Sequence, residues 1–118
     1  MTEAVDRLLP CENSGNCVCT EDGDAAPLPY DGLSPEEARR ELRAILHGLG
    51  GTKIVQETQT RVHATCRVFV FTDDLHARFD DAAGLVHLRS ASRVGRHDLG
   101  VNRRRIERIR KQWDARQE

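Results

Sequence analysis

The sequence predicts an α+β fold in which one helix, four antiparallel strands and a second helix follow one another. Three observations favour this class: a capped amphipathic helix over residues 34–49, alternating apolar and polar residues over 52–92, and a second periodic stretch over 102–116. The chain has 118 residues, a length that suits one domain. A sheet with one apolar face needs a cover, and both helices are expected to lie on that face.

The first third of the chain predicts little regular structure. Residues 1–9 are expected to form a tail, and residues 10–118 a single α+β domain. Within that domain, residues 10–33 predict a cysteine-containing loop, because glycine, asparagine and proline interrupt any periodicity. Residues 25–30 could add a fifth strand, which its prolines would restrict to an edge of the sheet.

The first helix, residues 34–49, has the clearest local signal. Ser34 is a good N-cap, Pro35 suits the first helical position, and Glu37 completes a capping box. Apolar residues then follow at helical spacing: Ala38, Leu42, Ile45, Leu46 and Leu49. This stripe predicts a buried helix face, and the glycines that follow end the helix.

Strands are predicted over residues 53–58, 60–71, 75–79 and 86–90. Residues 80–84 predict a hairpin turn, and Asp73 with Asp74 is expected to close a strand at another turn. A polar loop over residues 93–101 then leads into the last helix, whose apolar stripe is Ile106, Ile109 and Trp113. The order of elements is similar in outline to the TATA-binding-protein-like and helix-grip arrangements, which implies nothing about DNA binding.

The two ends of the chain carry opposite charge, although the net charge is only −1. Residues 1–41 hold ten acidic and three basic side chains, whereas residues 93–118 hold nine basic and four acidic ones. Such a split indicates either a partner with acidic groups or two ends that neutralise each other. Nucleic acid is disfavoured as a partner, because no aromatic residues alternate with the basic ones.

A membrane-spanning helix is not expected, because no apolar run reaches the roughly 20 residues that one needs. Residues 1–10 carry Glu3, Asp6 and Arg7 and lack the apolar stretch of a signal peptide. The expected location is therefore the cytoplasm.

The segment 89–105 is the strongest candidate for a binding site. Its arginines can bind carboxylate or phosphate through two hydrogen bonds, and the start of the last helix adds a positive dipole end. The candidate anion-binding residues are Arg89, Ser90, Ser92, Arg93, Asn102 and Arg103. These would form a non-catalytic site for a phosphorylated metabolite, a lipid head group or a protein carboxylate. Alternatively, the arginines pair with Asp73, Asp74 or Asp98 and only hold the loop in place.

An enzyme of unknown reaction is a weaker alternative. Ser92, His97 and Asp98 include the residue types of a hydrolase triad. However, His97 and Asp98 are sequence neighbours whose side chains usually diverge, and no nucleophile-elbow motif surrounds Ser92. The expectation therefore leans away from catalysis, and no cofactor is predicted.

Three segments resemble one known family. They are Cys11-Glu12-Asn13-Ser14-Gly15-Asn16-Cys17-Val18, Phe71-Thr72-Asp73-Asp74, and the stretch from Arg89-Ser90-Ala91-Ser92-Arg93 to Asp98-Leu99-Gly100-Val101-Asn102-Arg103 and on to Glu107. In this order they are similar to the domain of unknown function 1499 family over residues 11–113. Glu12 and Gly15 stand where that family has proline. The family has no established activity, so the resemblance implies only which residues belong together: Cys11, Cys17, Asp73, Asp74, Arg89, Ser90, Ser92, Arg93, Asp98, Asn102 and Arg103.

The resemblance also favours Cys11 and Cys17 as a pair, and it leaves Cys19 and Cys66 outside the pattern. The pair could form a disulfide, or could share a metal with Cys19 or a histidine in a metal-binding or thiol redox module. A reducing cytosol disfavours the disulfide, and the three cysteines of this loop fall short of four metal ligands. We expect Cys11 and Cys17 to lie within bridging distance, no bound metal, and Cys66 as a buried apolar residue.

Overall fold

The computed structural model describes residues 6–117 and confirms the α+β class. Within this range six antiparallel strands form one sheet, and two helices accompany it. The strands are β1 (Cys17–Cys19), β2 (Leu28–Pro29), β3 (Thr52–Glu57), β4 (Arg61–Val68), β5 (Phe71–Asp80) and β6 (Leu85–Ser92). The helices are α1 (Pro35–Gly48) and α2 (Val101–Arg116), and a single 3-10 turn covers Thr20–Asp22. Residues 1–5, five of the nine residues of the predicted tail, and residue 118 lie outside the described residues.

Six strands replace the predicted four with one optional edge strand. The order across the sheet is β1-β6-β5-β4-β3, and β2 pairs with β6 further along the same edge as β1. Both short strands come from the cysteine-containing loop. The sequence did not reveal β1, because three residues are too few to show an alternating pattern.

The turn between β4 and β5 corrects the position expected for Asp73 and Asp74. The chain reverses at Phe69 and Val70, and Val68 pairs with Phe71 across the turn. Asp73 and Asp74 therefore lie inside β5, not at its end. The turn was missed because it lies in a continuous apolar run that contains no glycine, proline or asparagine.

One apolar core lies between the helices and one face of the sheet. The capping box of Ser34 and Glu37 is present at the start of α1. Trp113 of α2 is fully buried, and its indole Nε1 donates a 2.7 Å hydrogen bond to the carbonyl oxygen of Pro29. This bond fixes α2 across the edge of the sheet that β2 extends.

The opposite face of the sheet is polar. His63 of β4 and His76 of β5 stack on it with ring centroids 4.2 Å apart. The N-terminal stretch joins this face through Glu21, which accepts hydrogen bonds from Arg78 and from the backbone N–H of Leu8. None of the helices in residues 6–117 combines the length and the apolar character that crossing a membrane requires.

Candidate anion-binding site

The sheet divides the six anion-binding candidates between its two faces. Successive residues of a strand point to opposite sides. Ser90 and Ser92 of β6 therefore face the helices with Asn102, whereas Arg89 lies beside His76 on the other face. Arg103 donates to the carbonyl oxygen of Asp24. The structure does not bring Arg89 or Arg93 together with Asn102.

Ser90 and Asn102 form the centre of a buried network with Arg105. The Ser90 hydroxyl donates a 2.7 Å hydrogen bond to Asn102 Oδ1. Arg105 Nη1 donates to the same Asn102 oxygen at 2.9 Å and to Ser90 Oγ at 3.0 Å. Asn102 Nδ2 in turn donates to Ser92 Oγ at 2.9 Å. These groups satisfy one another and join α2 to β6, so they are not available to a ligand.

Asp98 lies in the loop just before α2, with its carboxylate at the N-terminal end of the helix. Its carboxylate accepts hydrogen bonds from the backbone N–H groups of Gly100 at 2.8 Å and Asn102 at 3.0 Å. Burial alone would raise the pKa of Asp98, but the hydrogen bonds from Asn102 and Gly100 outweigh it and hold that pKa below its ordinary value. The positive end of α2 is therefore already neutralised by this chain's own carboxylate.

Asp73 and Asp74 pair with arginines on opposite faces of the sheet. Asp73 Oδ2 lies 2.9 Å from Arg105 Nη2, and their side chains are only 4% and 9% exposed. This contact is an ion pair whose angle does not suit a hydrogen bond. Asp74 accepts two hydrogen bonds from Arg93, at 2.9 and 3.0 Å, and a third contact joins it to His63 Nε2 at 2.8 Å. The hydrogen bonds from Arg93 are the main cause that lowers the pKa of Asp74 to about 2.

Arg89 has a different environment. Its Nε is buried without a hydrogen-bond partner among the described residues. Its strand partners are His76 on one side and Cys19 on the other. Burial is the main cause that lowers the pKa of His76, and the neighbouring positive charge of Arg89 adds to it.

The structure joins Cys11 and Cys17 in a disulfide, with Cα atoms 5.6 Å apart. Cys19 and Cys66 are free and buried, and burial raises the pKa of both thiols. Cys11 also lies near Asp22 and Asp24 in a cluster of possible metal ligands. Because its sulfur is held in the disulfide, Cys11 cannot act there as a thiolate ligand.

The residues of the hypothetical hydrolase triad are used otherwise. Ser92 Oγ accepts a hydrogen bond from Asn102, and the Asp98 carboxylate binds the first turn of α2. Within residues 6–117, neither side chain forms a hydrogen bond with His97.

A cleft of about 290 Å³ lies where the end of β4 meets the first turns of α2. Four arginines contribute to its lining: Arg67, Arg104, Arg105 and Arg108. The other lining residues are Leu49, Gly50, Thr52, Cys66, Val68 and Val101. No acidic residue of the described chain lines this arginine cleft.

The charge of the arginine cleft is only partly balanced. Arg105 has Asp73 as its partner, behind the cleft wall. Arg104 donates to the carbonyl oxygen of Leu99 at 2.9 Å. Within the described part of the chain, Arg67, Arg104 and Arg108 form no ion pair with a carboxylate. Arg104 and Arg108 therefore bring two positive charges to one concave surface, which favours an anion there. Arg67 lines the cleft from the end of β4, but the alternation of that strand directs its side chain to the face of His63.

Sequence reasoning found this site only in part. Arg104 and Arg105 were visible as members of the basic segment, and Arg108 follows Arg104 by one helical turn. Arg67 gave no signal, because the approach of the end of β4 to α2 depends on how the sheet packs against the helix.

An apolar surface adjoins the arginine cleft. A second cleft, of about 340 Å³, shares Val68 and Val101 with it. Exposed apolar side chains from the β4–β5 turn, the start of β5 and the loop before α2 line this second cleft, and exposed Val70 completes the turn. We call these residues the apolar rim: Phe69, Val70, Phe71, Val94 and Leu99.

Comparison with known proteins adds the family. No curated protein matches the chain in a sequence comparison. The family model described as "Protein of unknown function (DUF1499)" matches residues 7–113, a range that includes the Cys11–Cys17 disulfide, the buried network and almost all of α2. The motifs that suggested this family thus lie inside the matched range, and the chain belongs to the DUF1499 family.

Proposed function

We propose that the protein binds an anionic group, a phosphate or a carboxylate, in the arginine cleft. One observation carries the proposal: Arg104 and Arg108, one turn apart on α2, line one cleft without an acidic partner in the described chain. Guanidinium groups held close together repel one another, and a bound anion relieves this repulsion. Each guanidinium also offers a planar set of donors that matches phosphate and carboxylate oxygens.

The ligand class is that expected from the sequence, but the residues differ. Arg105 sits at the back of the cleft, where Asp73, Ser90 and Asn102 already use its donors. It therefore positions the first turns of α2, and Arg104 with Arg108 is left to meet the ligand. Arg93 is excluded from this role, because Asp74 holds it on the other face of the sheet.

The lining of the cleft supports binding over catalysis. Its polar side chains are the guanidinium groups, the Thr52 hydroxyl and the Cys66 thiol. Thr52 Oγ1 is directed at the sulfur of Cys66, and burial raises the pKa of that thiol, which makes it a poor nucleophile. A volume of about 290 Å³ accommodates a phosphate or carboxylate with part of the molecule that carries it.

Isothermal titration of the protein with inorganic phosphate, and separately with acetate, tests the proposal. Arg104→Gln and Arg108→Gln each remove one cleft charge and keep most of the aliphatic part of the side chain. Each should weaken phosphate binding roughly 10- to 100-fold, since a hydrogen bond to a charged group contributes about 1.5–3 kcal/mol.

Arg40→Gln is the matched control, because Arg40 is an exposed arginine of α1 and does not line the cleft. It should leave phosphate affinity unchanged and account for any general effect of net charge. The proposal is wrong if the native protein binds neither anion, or if Arg40→Gln weakens binding as much as Arg108→Gln.

A further inference from the structure

Two residues of the apolar rim combine backbone strain with exposure. Among the described residues, Phe69 and Leu99 are the non-glycine residues with positive φ, at 55° and 56°. They are also the most exposed large apolar side chains, at 90% and 87%. A side chain disfavours the left-handed conformation, which glycine or asparagine adopts more easily. Both positions therefore hold a residue that suits neither the backbone nor the water around it.

The two unfavourable residues belong to the same surface. Phe69 is in the turn between β4 and β5, and Leu99 is in the loop that leads into α2. Both line the second cleft together with Phe71 and Val94, and exposed Val70 completes the turn. Soluble proteins rarely present apolar side chains so densely unless the surface meets something apolar.

Basic residues surround the apolar rim. Arg67 precedes the turn, Arg96 follows Val94 in the same loop, and Arg104 lies one turn into α2; all three are exposed. Asp73 and Asp98 also line the second cleft, but both carboxylates are already engaged, since Asp73 pairs with Arg105 and Asp98 binds the first amides of α2. An apolar tip within a ring of cations is typical of surfaces that enter the interface of an anionic membrane.

We propose that the apolar rim docks on a membrane of anionic phospholipids, with the side chains of Phe69 and Leu99 among the acyl chains near the head groups. The inference extends the proposed function, because the adjacent arginine cleft would then receive a lipid phosphate. A second copy of the chain fits less well. A symmetric contact would place the same rim on both copies, and so bring cation against cation.

Sedimentation with vesicles tests this inference. The native protein should sediment with vesicles that contain phosphatidylserine and phosphatidylcholine, and much less with vesicles of phosphatidylcholine alone. The double variant Phe69→Asn/Leu99→Asn should lose this binding, by roughly tenfold or more. Because asparagine tolerates the left-handed backbone, the variant should melt no lower than the native protein, so the loss cannot be attributed to unfolding.

Val55→Asn is the matched control, because Val55 is an exposed apolar residue of β3 that lies outside the rim. It should sediment like the native protein. Vesicle binding that survives in Phe69→Asn/Leu99→Asn, or that Val55→Asn also loses, overturns the inference.

Phosphate titration separates this inference from the proposed function. Phe69→Asn/Leu99→Asn should bind inorganic phosphate as the native protein does. If the native protein binds phosphate but no anionic vesicle, the membrane inference is wrong and an acidic protein surface becomes the better partner for the rim. If vesicle binding depends on the rim while phosphate does not bind, the inference stands and the proposed cleft function fails.

Discussion

At the scale of single residues, neighbouring side chains of β6 belong to different surfaces, since Ser90 faces α2 and Arg89 faces the opposite side of the sheet. The alternation of Val86, Leu88 and Ser90 already directed Ser90 inward, and the same alternation directs Arg89 outward. What the alternation could not show is the partner of each group. The contacts of Ser90 with Asn102 and Arg105 exist only because α2 crosses β6 at that point.

Asp73 gives the first residue-scale prediction. Asp73→Asn should lower the free energy of unfolding by about 3–5 kcal/mol, because it leaves the charge of Arg105 buried without its partner. Urea unfolding at neutral pH measures this loss. A loss below about 1 kcal/mol, the range of exposed ion pairs, would contradict it.

Asp74 gives a prediction about pH. Its pKa is about 2 in the folded protein, against an ordinary value of 3.8, mainly because Arg93 binds the ionised form. A lowered pKa stabilises the fold above the ordinary value, and this contribution is lost as pH falls from about 4 towards 2. Asp74→Asn should therefore be less stable than the native protein at neutral pH, by about 1 kcal/mol after allowing for solvent screening.

Urea unfolding of both proteins at several pH values checks this prediction. The difference between them should shrink on acidification through this window and disappear near pH 2. A difference that stays constant, or grows, would show that the Arg93 contact does not depend on the charge of Asp74.

At the scale of elements, local signals determined which parts were predictable. The capping box of Ser34 and Glu37 predicted the start of α1, because it consists of side-chain contacts within four residues. The β4–β5 turn was not predictable in this way, since Phe69 occupies a left-handed position where glycine or asparagine is the usual signal. Because Phe69 is not a typical turn residue, the sequence gives no signal for this turn. The same side chain is part of the apolar rim.

The contact between the cysteine loop and the loop before α2 gives the prediction at this scale. The carbonyl oxygen of Gly15 accepts a 3.0 Å hydrogen bond from the N–H of Asp98. A Cβ on Gly15 would lie 2.2 Å from the carbonyl oxygen of Arg96, which is backbone and cannot turn aside. Gly15→Ala should therefore separate the two loops and lower stability by about 1–3 kcal/mol.

Gly50→Ala is the control for this substitution, because a Cβ there meets open space. Hydrogen exchange gives the more specific measurement. The amide of Asp98 should exchange faster in Gly15→Ala, while amides in the middle of β5 keep their native protection. Unchanged protection at Asp98 would mean that the loops shift together without losing their contact.

At the scale of the whole molecule, some arginines of the basic C-terminal region have partners within the fold and others do not. Part of the basic C-terminal region is satisfied within the fold. Arg116 pairs with Glu41 across the two helices, and Arg110 donates to the carbonyl oxygen of Pro27. Arg104 and Arg108 keep their charge for the arginine cleft. Total charge could not show this division, because it depends on which side of α2 each arginine occupies.

The Cys11–Cys17 disulfide links the N-terminal stretch to the edge of the whole sheet, since Cys17 in β1 pairs with Ala91 in β6. A loop this short restricts the unfolded chain modestly, so the Cys11→Ser/Cys17→Ser double variant should lose about 2 kcal/mol of unfolding free energy. Dithiothreitol should lower the unfolding free energy of the native protein to that of the variant and leave the variant unchanged.

The redox state of Cys11 and Cys17 gives the last prediction. Disulfides persist in oxidising compartments, whereas the expected cytoplasmic location would keep the two thiols reduced. Equilibration with a cytosolic ratio of reduced to oxidised glutathione, followed by mass spectrometry of alkylated thiols, measures which state the fold prefers. A native protein that is fully alkylated at Cys11 and Cys17 after this treatment would contradict a stabilising disulfide under cytosolic conditions.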